Sequence, residues 1–285
     1  VSEAVPTAIE VDNGGIRIAA LDWGGTGPSL VLVHPTGFPG GVFEPIAQEL
    51  VAAGAFRVIA IDLRGHGASD VPDERAAYTY ELMATDVVAV LDALGLDTVR
   101  ALGQSLGGGV STLVDQLQPG RIERLLLCEG IAHPLLEGSP GGDNHMAAAA
   151  RRRRPLWPSR AAMIERYGSR PPLNELAPEA LEAYIRWGTV ERADGQVELS
   201  CPPEIEAVVF EAAGSPSGAP AAWHHLASLT ASAVVLAGTR SDLPQEWFRE
   251  QAARAGAPFI AVDGGHFFLQ EDTARATQLV LDHLG

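Results

Sequence analysis

The 285-residue chain contains no lysine; all 20 of its basic residues are arginine. Chemistry that needs a lysine amine is thereby excluded, including Schiff-base formation, a pyridoxal anchor and the lysine of a phosphate-binding loop. Cysteine is almost as scarce. Cys128 and Cys201 form no metal-ligand spacing, so a cysteine-built zinc site is not expected, and neither a metal nor another cofactor is read from the sequence. One disulfide between them is possible, although their apolar or turn-rich surroundings suit inert thiols. No apolar run reaches the ~18 residues of a membrane span. The opening VSEAVPTAIEVDNGG lacks a charged-then-apolar leader pattern, and a cytoplasmic location is the expectation. Positive charge is also in deficit: a net charge of −16 argues against nucleic acid and anionic membranes as partners. A small-molecule substrate is the partner expected; oligomeric state has no signature here.

What is present is a rhythm. The runs SLVLVH (Ser29–His34), FRVIAIDL (Phe56–Leu63), VRALGQ (Val99–Gln104) and IERLLLCE (Ile122–Glu129) are continuously apolar or nearly so, as strands buried on both faces are. Helices are expected between them, over about Phe43–Ala53, Tyr80–Leu94 and Leu106–Gln118. In the second, Leu82, Val87, Val90, Leu91 and Leu94 keep helical spacing. Asn13-Gly14-Gly15 between two further strands is a hairpin signal. Alternating strands and helices imply a mostly parallel sheet covered on both faces. The rhythm breaks after Glu129. From His133 to about Thr230 the chain is rich in Pro and Gly and reads as helices and loops rather than strands. Strands return at SAVVLAG (Ser232–Gly238) and PFIAVDG (Pro258–Gly264), with helices near Gln245–Ala255 and Asp272–Leu284.

ALGQSLGGGV (Ala101–Val110) sets Ser105 among glycines, with Gly103 before it and Gly107, Gly108 and Gly109 after it. Glycine weakens a strand or helix interior, so packing or chemistry must require this cluster. Gly103-x-Ser105-x-Gly107 falls between an expected strand and an expected helix, which is the context of a nucleophile elbow. Such a turn holds its serine in a strained conformation with the hydroxyl presented, at a helix N-terminus that favours developing negative charge.

Four motifs occur in order: HPTGFPG, DLRGHGASD, GQSLGG and GGHFFLQED. With them the sequence resembles the α/β-hydrolase superfamily, as a serine-nucleophile member with a helical cap, over about Ile16–Ala132 and Ala231–Gly285. The resemblance implies an α/β core of residues 1–132 and 231–285 with a mostly parallel central sheet, and a helical cap or lid inserted at 133–230. The elbow serine needs a base, and His266 just past the last strand is the candidate. The base needs an orienting carboxylate. The family's usual location for it points to Asp242 in GTRSD, although it lies four residues after the glycine where three is common and Ser241 takes the usual place. Glu129, ending its strand, is the rival, because some family members take their acid from there. Oxyanion donors are expected from the Leu106 N–H and from Thr36 in HPTGFPG, with Phe38 as the alternative; Pro35 has no N–H to offer.

The other histidines are read as structural: His34 and His66 shape loops, His133 and His145 belong to the cap, and His224-His225 lack a third metal ligand. Asp62, Arg64 and Asp70 tie loops together. Arg151–Arg154 are four consecutive helix positions about 100° apart, so they form no single patch; a solvated cap helix is the plain expectation, and one arginine reaching into the cleft the sharper one. The function expected is a cofactor-independent serine hydrolase acting on an ester, lactone or thioester of a small apolar substrate through an acyl-enzyme. Carbon–carbon bond hydrolysis, acyl transfer, or ligand binding without turnover are the alternatives.

Overall fold

The computed structural model describes residues 4–134 and 144–285. The apolar runs become strands, and their alternation decides the layers. Within β3 (Ser29–Val33), Val31 and Val33 join one apolar cluster while Leu30 and Leu32 join the other. A sheet with apolar residues on both faces must be covered on both. The eight strands are β1 (Thr7–Asn13), β2 (Ile16–Gly24), β3, β4 (Arg57–Ile61), β5 (Val99–Gln104), β6 (Ile122–Cys128), and two that follow the insertion at Ser232–Gly238 and Phe259–Val262. With the strands of the insertion numbered β7–β9, those last two are β10 and β11. The sheet order is β1-β2-β4-β3-β5-β6-β10-β11. The β1–β2 hairpin turns on Gly14-Gly15, and β2 pairs antiparallel with β4; every pairing from β4 onward through β11 is parallel.

Helices α1 (Glu44–Ala52), α2 (Tyr80–Ala93) and α3 (Leu106–Leu117) follow β3, β4 and β5. Thr79 caps α2, its side chain accepting from the Leu82 N–H. Met83, Val87, Val90 and Leu91 of α2 and Val110, Leu113 and Val114 of α3 pack on one sheet face. Ile46 and Leu50 of α1 pack on the other with Val280 and Leu284 of the C-terminal helix Thr273–Leu284.

The insertion is more than helices. It holds α4 (His145–Arg151), α5 (Arg160–Tyr167), α6 (Pro178–Trp187), α7 (Pro203–Ala213) and α8 (Ala219–His225), but also a small antiparallel sheet of β7 (Leu156–Trp157), β8 (Thr189–Glu191) and β9 (Val197–Leu199). The expectation of helices alone is corrected here. Val190 and Val197 flank an Asp194-Gly195 turn, a hairpin signal that two three-residue strands are too short to announce by periodicity. The expected loop at Ser139–Asn144 lies outside the described residues save Asn144, which caps α4. Leu181, Tyr184 and Ile185 of α6 belong to one apolar cluster of the core sheet, and Val208, Val209, Ala222 and Leu226 to the other. The insertion is therefore packed into both layers. After it come α9 (Gln245–Ala255), α10 (Phe268–Glu271) and α11 (Thr273–Leu284). Among the described residues no helix is long and apolar enough to cross a membrane. Cys128 and Cys201 are both free and buried.

Polar ties hold the loops at the strand ends. Asp62 accepts from the Gly40 and Ala68 N–H groups at 2.6 and 2.8 Å, and Asp70 accepts from Arg17. Arg64 grips Asp86 of α2 through Nε and Nη2 at 2.6 and 2.7 Å, with both side chains removed from solvent. Removing one member of such a pair strands a buried charge. Asp86→Ala is expected to cost about 3–5 kcal/mol of folding stability, read from urea unfolding; a loss below about 1 kcal/mol contradicts the assigned role.

Candidate active site

The elbow forms where the glycines allow two layers to touch. A methyl group on Gly107 would lie 2.1 Å from the Val33 carbonyl oxygen, and one on Gly103 would lie 2.5 Å from the Gly107 oxygen. Both clashes are with backbone, so the cluster is a packing requirement that brings α3 against β3 and β5. Ser105 sits between at φ 53, ψ −119, a conformation a serine adopts only where its surroundings impose it. Its backbone is pinned on both sides: its N–H donates to the Cys128 oxygen at 3.0 Å and its own oxygen accepts from the Ile131 N–H at 2.8 Å. Those bonds set the elbow beside the end of β6.

Glu129, the residue after β6, also has a positive φ of 47 and is fully buried. Its Oε2 accepts from His266 Nδ1 at 2.5 Å and from Ser241 Oγ at 2.7 Å, and its Oε1 from the Gly238 N–H at 2.7 Å. Asp242 is exposed. The structure thus puts Glu129, and not Asp242, against the His266 ring. The reason lies in the turn after β10. Three residues past Gly238, Ser241 stands where the acid was expected, and its hydroxyl donates to the carboxylate arriving from the end of β6. Asp242, one residue on, falls on the outer side of the turn.

With Nδ1 held by Glu129, Nε2 is the ring nitrogen left for chemistry. The His266 loop is fixed by Gln104, the residue before Ser105, which exchanges two hydrogen bonds with Gln270 at 3.0 and 2.9 Å and donates to the His266 carbonyl at 3.4 Å. Glu271 holds the Gly265 N–H as well, at 2.9 Å.

The loop after β3 turns from Pro35 to Phe38, with the Phe38 N–H donating to the Pro35 oxygen at 3.2 Å and Gly37 at φ +77 in the third position. Such a turn needs a residue without a Cβ there. The Gly37 N–H donates to His66 Nε2 at 3.0 Å. Phe38 and Gly37 are thus committed, whereas among the described residues none accepts from the Thr36 N–H. The Leu106 N–H, at the first turn of α3, is one of the donors a helix start leaves unsatisfied. One aromatic wall flanks the site: His266 contacts Phe267 at a ring separation of 4.9 Å, Phe267 contacts Phe38 at 4.8 Å, and Phe38 contacts Tyr184 of α6 at 4.6 Å.

Residues 30–278 match the family model described as the alpha/beta hydrolase family. The chain belongs to that family. Within it, the chain resembles 2-hydroxymuconate semialdehyde hydrolase of Pseudomonas sp. (strain CF600), 34% identical over 135 residues, which is 45% of this chain and 46% of that one. It also resembles epoxide hydrolase 4 of Mus musculus, 29% identical over 127 residues, 44% of this chain and 34% of the relative. The matched stretch is thus less than half the length of either curated relative. Among solved structures, the thermophilic esterase of Thermogutta terrifontis is 26% identical with a TM-score of 0.74, covering 98% of both chains. A thioesterase domain from the curacin biosynthetic pathway reaches a TM-score of 0.82 at 22% identity, covering 97% of this chain and 99% of that one. The latter likeness speaks for the fold alone.

The remaining polar residues of this family member sort by their partners. His225 pairs with the buried Asp115 at 2.8 Å and His224 is exposed; among the described residues no three of His, Cys, Asp and Glu are grouped as metal ligands. Ser241 was named in the sequence only as the residue at the acid's usual place; its hydroxyl donating to Glu129 was not read there. His34 and His66 stand back to back with ring centres 4.9 Å apart. Each accepts a backbone N–H on Nε2, from Leu63 and Gly37 at 3.0 Å, so each carries its proton on Nδ1. Burial, helped by the neighbouring His66, holds the His34 pKa well below its ordinary value; burial takes His66 down to about 4. Burial pushes Asp62 up to about 6 in spite of the two N–H groups it accepts.

A histidine whose pKa falls on folding binds fewer protons folded than unfolded. The stability tied to neutral His66 is therefore present above about pH 6.5 and lost as pH falls toward 4. Asp62 has the opposite sign, since its contribution is lost as pH rises from about 4 through 6. His66→Gln keeps an acceptor and removes the titration. Between pH 6 and 5 it is expected to flatten the fall of unfolding free energy by about 1.2 kcal/mol. Urea titrations of both proteins at the two pH values check this; equal slopes contradict a neutral, buried His66.

Proposed function

We propose that the protein is a serine hydrolase in which Ser105 is the nucleophile, His266 the general base and Glu129 the acid that orients it. The single observation carrying this reading is the buried Glu129 carboxylate bonded to His266 Nδ1, beside an elbow that presents Ser105 in a strained conformation. Ser105 Oγ attacks a carbonyl carbon and its proton passes to His266 Nε2. The imidazolium is stabilised by Glu129, and the oxyanion by the N–H groups of Leu106 and Thr36. Collapse expels the leaving group with the proton from His266, and water releases the acyl group by the same path in reverse.

Esters, lactones and thioesters of small apolar acyl groups suit the wall of Phe38, Phe267 and Tyr184. The family supports this breadth. Beside the esterase, Est816, named as an N-acyl homoserine lactone degrading enzyme, is 26% identical with a TM-score of 0.70 over 96% of this chain and 99% of its own. The likeness to 2-hydroxymuconate semialdehyde hydrolase favours one second reading, carbon–carbon bond hydrolysis by the same three residues. Epoxide opening through an ester intermediate suits the chain less, because the elbow residue is a serine and not a carboxylate.

Fluorophosphonate labelling with mapping of the adduct tests the nucleophile: Ser105 is expected to carry it, and Ser105→Ala to lose turnover of short p-nitrophenyl esters. For the acid, Glu129→Gln replaces an acceptor-only carboxylate with a neutral amide whose NH2 can donate to Nδ1, which disfavours the tautomer the base needs. It is expected to lower kcat by about 10³–10⁴-fold, whereas Asp242→Asn changes it less than about twofold. A large loss in Asp242→Asn with a mild one in Glu129→Gln sinks the assignment.

A further inference from the structure

Of the four consecutive arginines, three follow the expectation of a solvated cap surface. Arg151 pairs with Glu204 and Glu211 at the surface, Arg152 is exposed, and Arg154 lies over the Trp157 ring. Arg153 turns inward. Its guanidinium donates to Glu206 of α7 and to the hydroxyls of Tyr184 and Tyr167, at 2.5 and 3.5 Å. Only 20% of the Arg153 side chain and 9% of the Glu206 side chain meet solvent. Burial opposes the arginine's charge, but Tyr184, Glu206 and Tyr167 more than offset it, and its pKa lies above the ordinary arginine value. A buried ion pair adds little stability over apolar side chains of the same size, so its presence calls for a different reason.

The reason lies in where the pair sits. A methyl group on Gly37 would lie 2.7 Å from Glu206 Oε1 and 3.3 Å from Arg153 Nη1, so the pair rests directly on the Cα of Gly37. The Gly37 N–H is held by His66 of the core. Gly37 is thus gripped between a core imidazole and a cap carboxylate. Its neighbours continue the contact. Phe38 packs on Tyr184, the residue that receives the Arg153 proton donor, and on Phe267 beside His266.

We propose that the Arg153–Glu206 ion pair is a positioning device through which the docked cap holds the loop Thr36–Phe38 in the shape that binds the oxyanion. The cap then sets the rate of turnover as well as the choice of substrate. This inference rests on the serine-hydrolase reading above and on the Thr36 N–H as an oxyanion donor. The pair touches no reacting atom and acts only through Gly37 and Phe38.

The test uses the whole chain, p-nitrophenyl butyrate as substrate, and an alkyl trifluoromethyl ketone as a mimic of the tetrahedral intermediate. Glu206→Asp keeps the charge but withdraws the carboxylate from Gly37. It is expected to lower kcat about 10–100-fold with KM within about threefold, and to weaken the ketone by the factor lost in kcat/KM. The double variant Arg153→Met/Glu206→Leu removes both charges, and is expected to keep its Tm and suffer the same kinetic loss. A merely structural pair predicts the reverse, lower Tm in Glu206→Asp with unchanged kcat and ketone affinity in the folded fraction. Wild-type kcat and ketone affinity in Glu206→Asp, or losses confined to KM, overturn the proposal, and this variant decides if the double variant does not fold. The underlying reading fails in a different way: the wild-type chain then neither turns over the ester nor takes up a fluorophosphonate at Ser105, and the proposal falls with it.

Discussion

The bond between Glu129 and His266 depends on three strand ends meeting at one point, and much of the molecule serves to make them meet. Glu129 follows the end of β6, His266 comes from the loop after β11, and between them Gly238 at the end of β10 and Ser241 in the turn after it both donate to the same carboxylate. A buried carboxylate is costly unless donors surround it. Here the backbone N–H, the hydroxyl and the imidazole supply three. Glu129 holds a positive φ of 47, a strained backbone that its surroundings must impose. The elbow is tied to the same place, since the Ser105 N–H bonds to the residue just before Glu129.

The insertion belongs to this arrangement more closely than the word cap suggests. Its apolar residues join both core clusters, and its α6 supplies Tyr184 to the wall that begins at the His266 ring. Charge is distributed in keeping with that packing. With 36 acidic residues against 20 arginines, most arginines have a carboxylate to meet; Arg151 at the end of α4 pairs outward, and Arg153 in the bend that follows pairs inward. The exposed pairs contribute little. The inward one lies against the loop that precedes the aromatic wall.

Much of the fold was legible in the sequence. Strands β3, β5 and β10 occupy Ser29–Val33, Val99–Gln104 and Ser232–Gly238, where the apolar runs place them, because a strand buried on both faces leaves few other readings of such a run. The elbow was legible for a related reason: its glycines answer to contacts a few residues away in sequence or on the next strand. The three cap strands were not, since two or three residues carry no period. Nor was the direction of Arg153: the four arginines were expected on one helix, but α4 ends at Arg151, and Arg153 lies in the bend beyond it, where partners some fifty residues away in sequence set its direction.

By itself, then, the sequence determined the alternation of strands and helices and the glycine-flanked turn that carries Ser105. Those features depend on local periodicity and on steric limits within a few residues. Which carboxylate meets His266 was decided only by the tertiary structure. Asp242 and Glu129 are both acids at strand ends, and the difference between them is a one-residue matter of which way a turn faces. That orientation is set by the packing of β6, β10 and β11 side by side, a long-range arrangement that neither stretch of chain encodes alone.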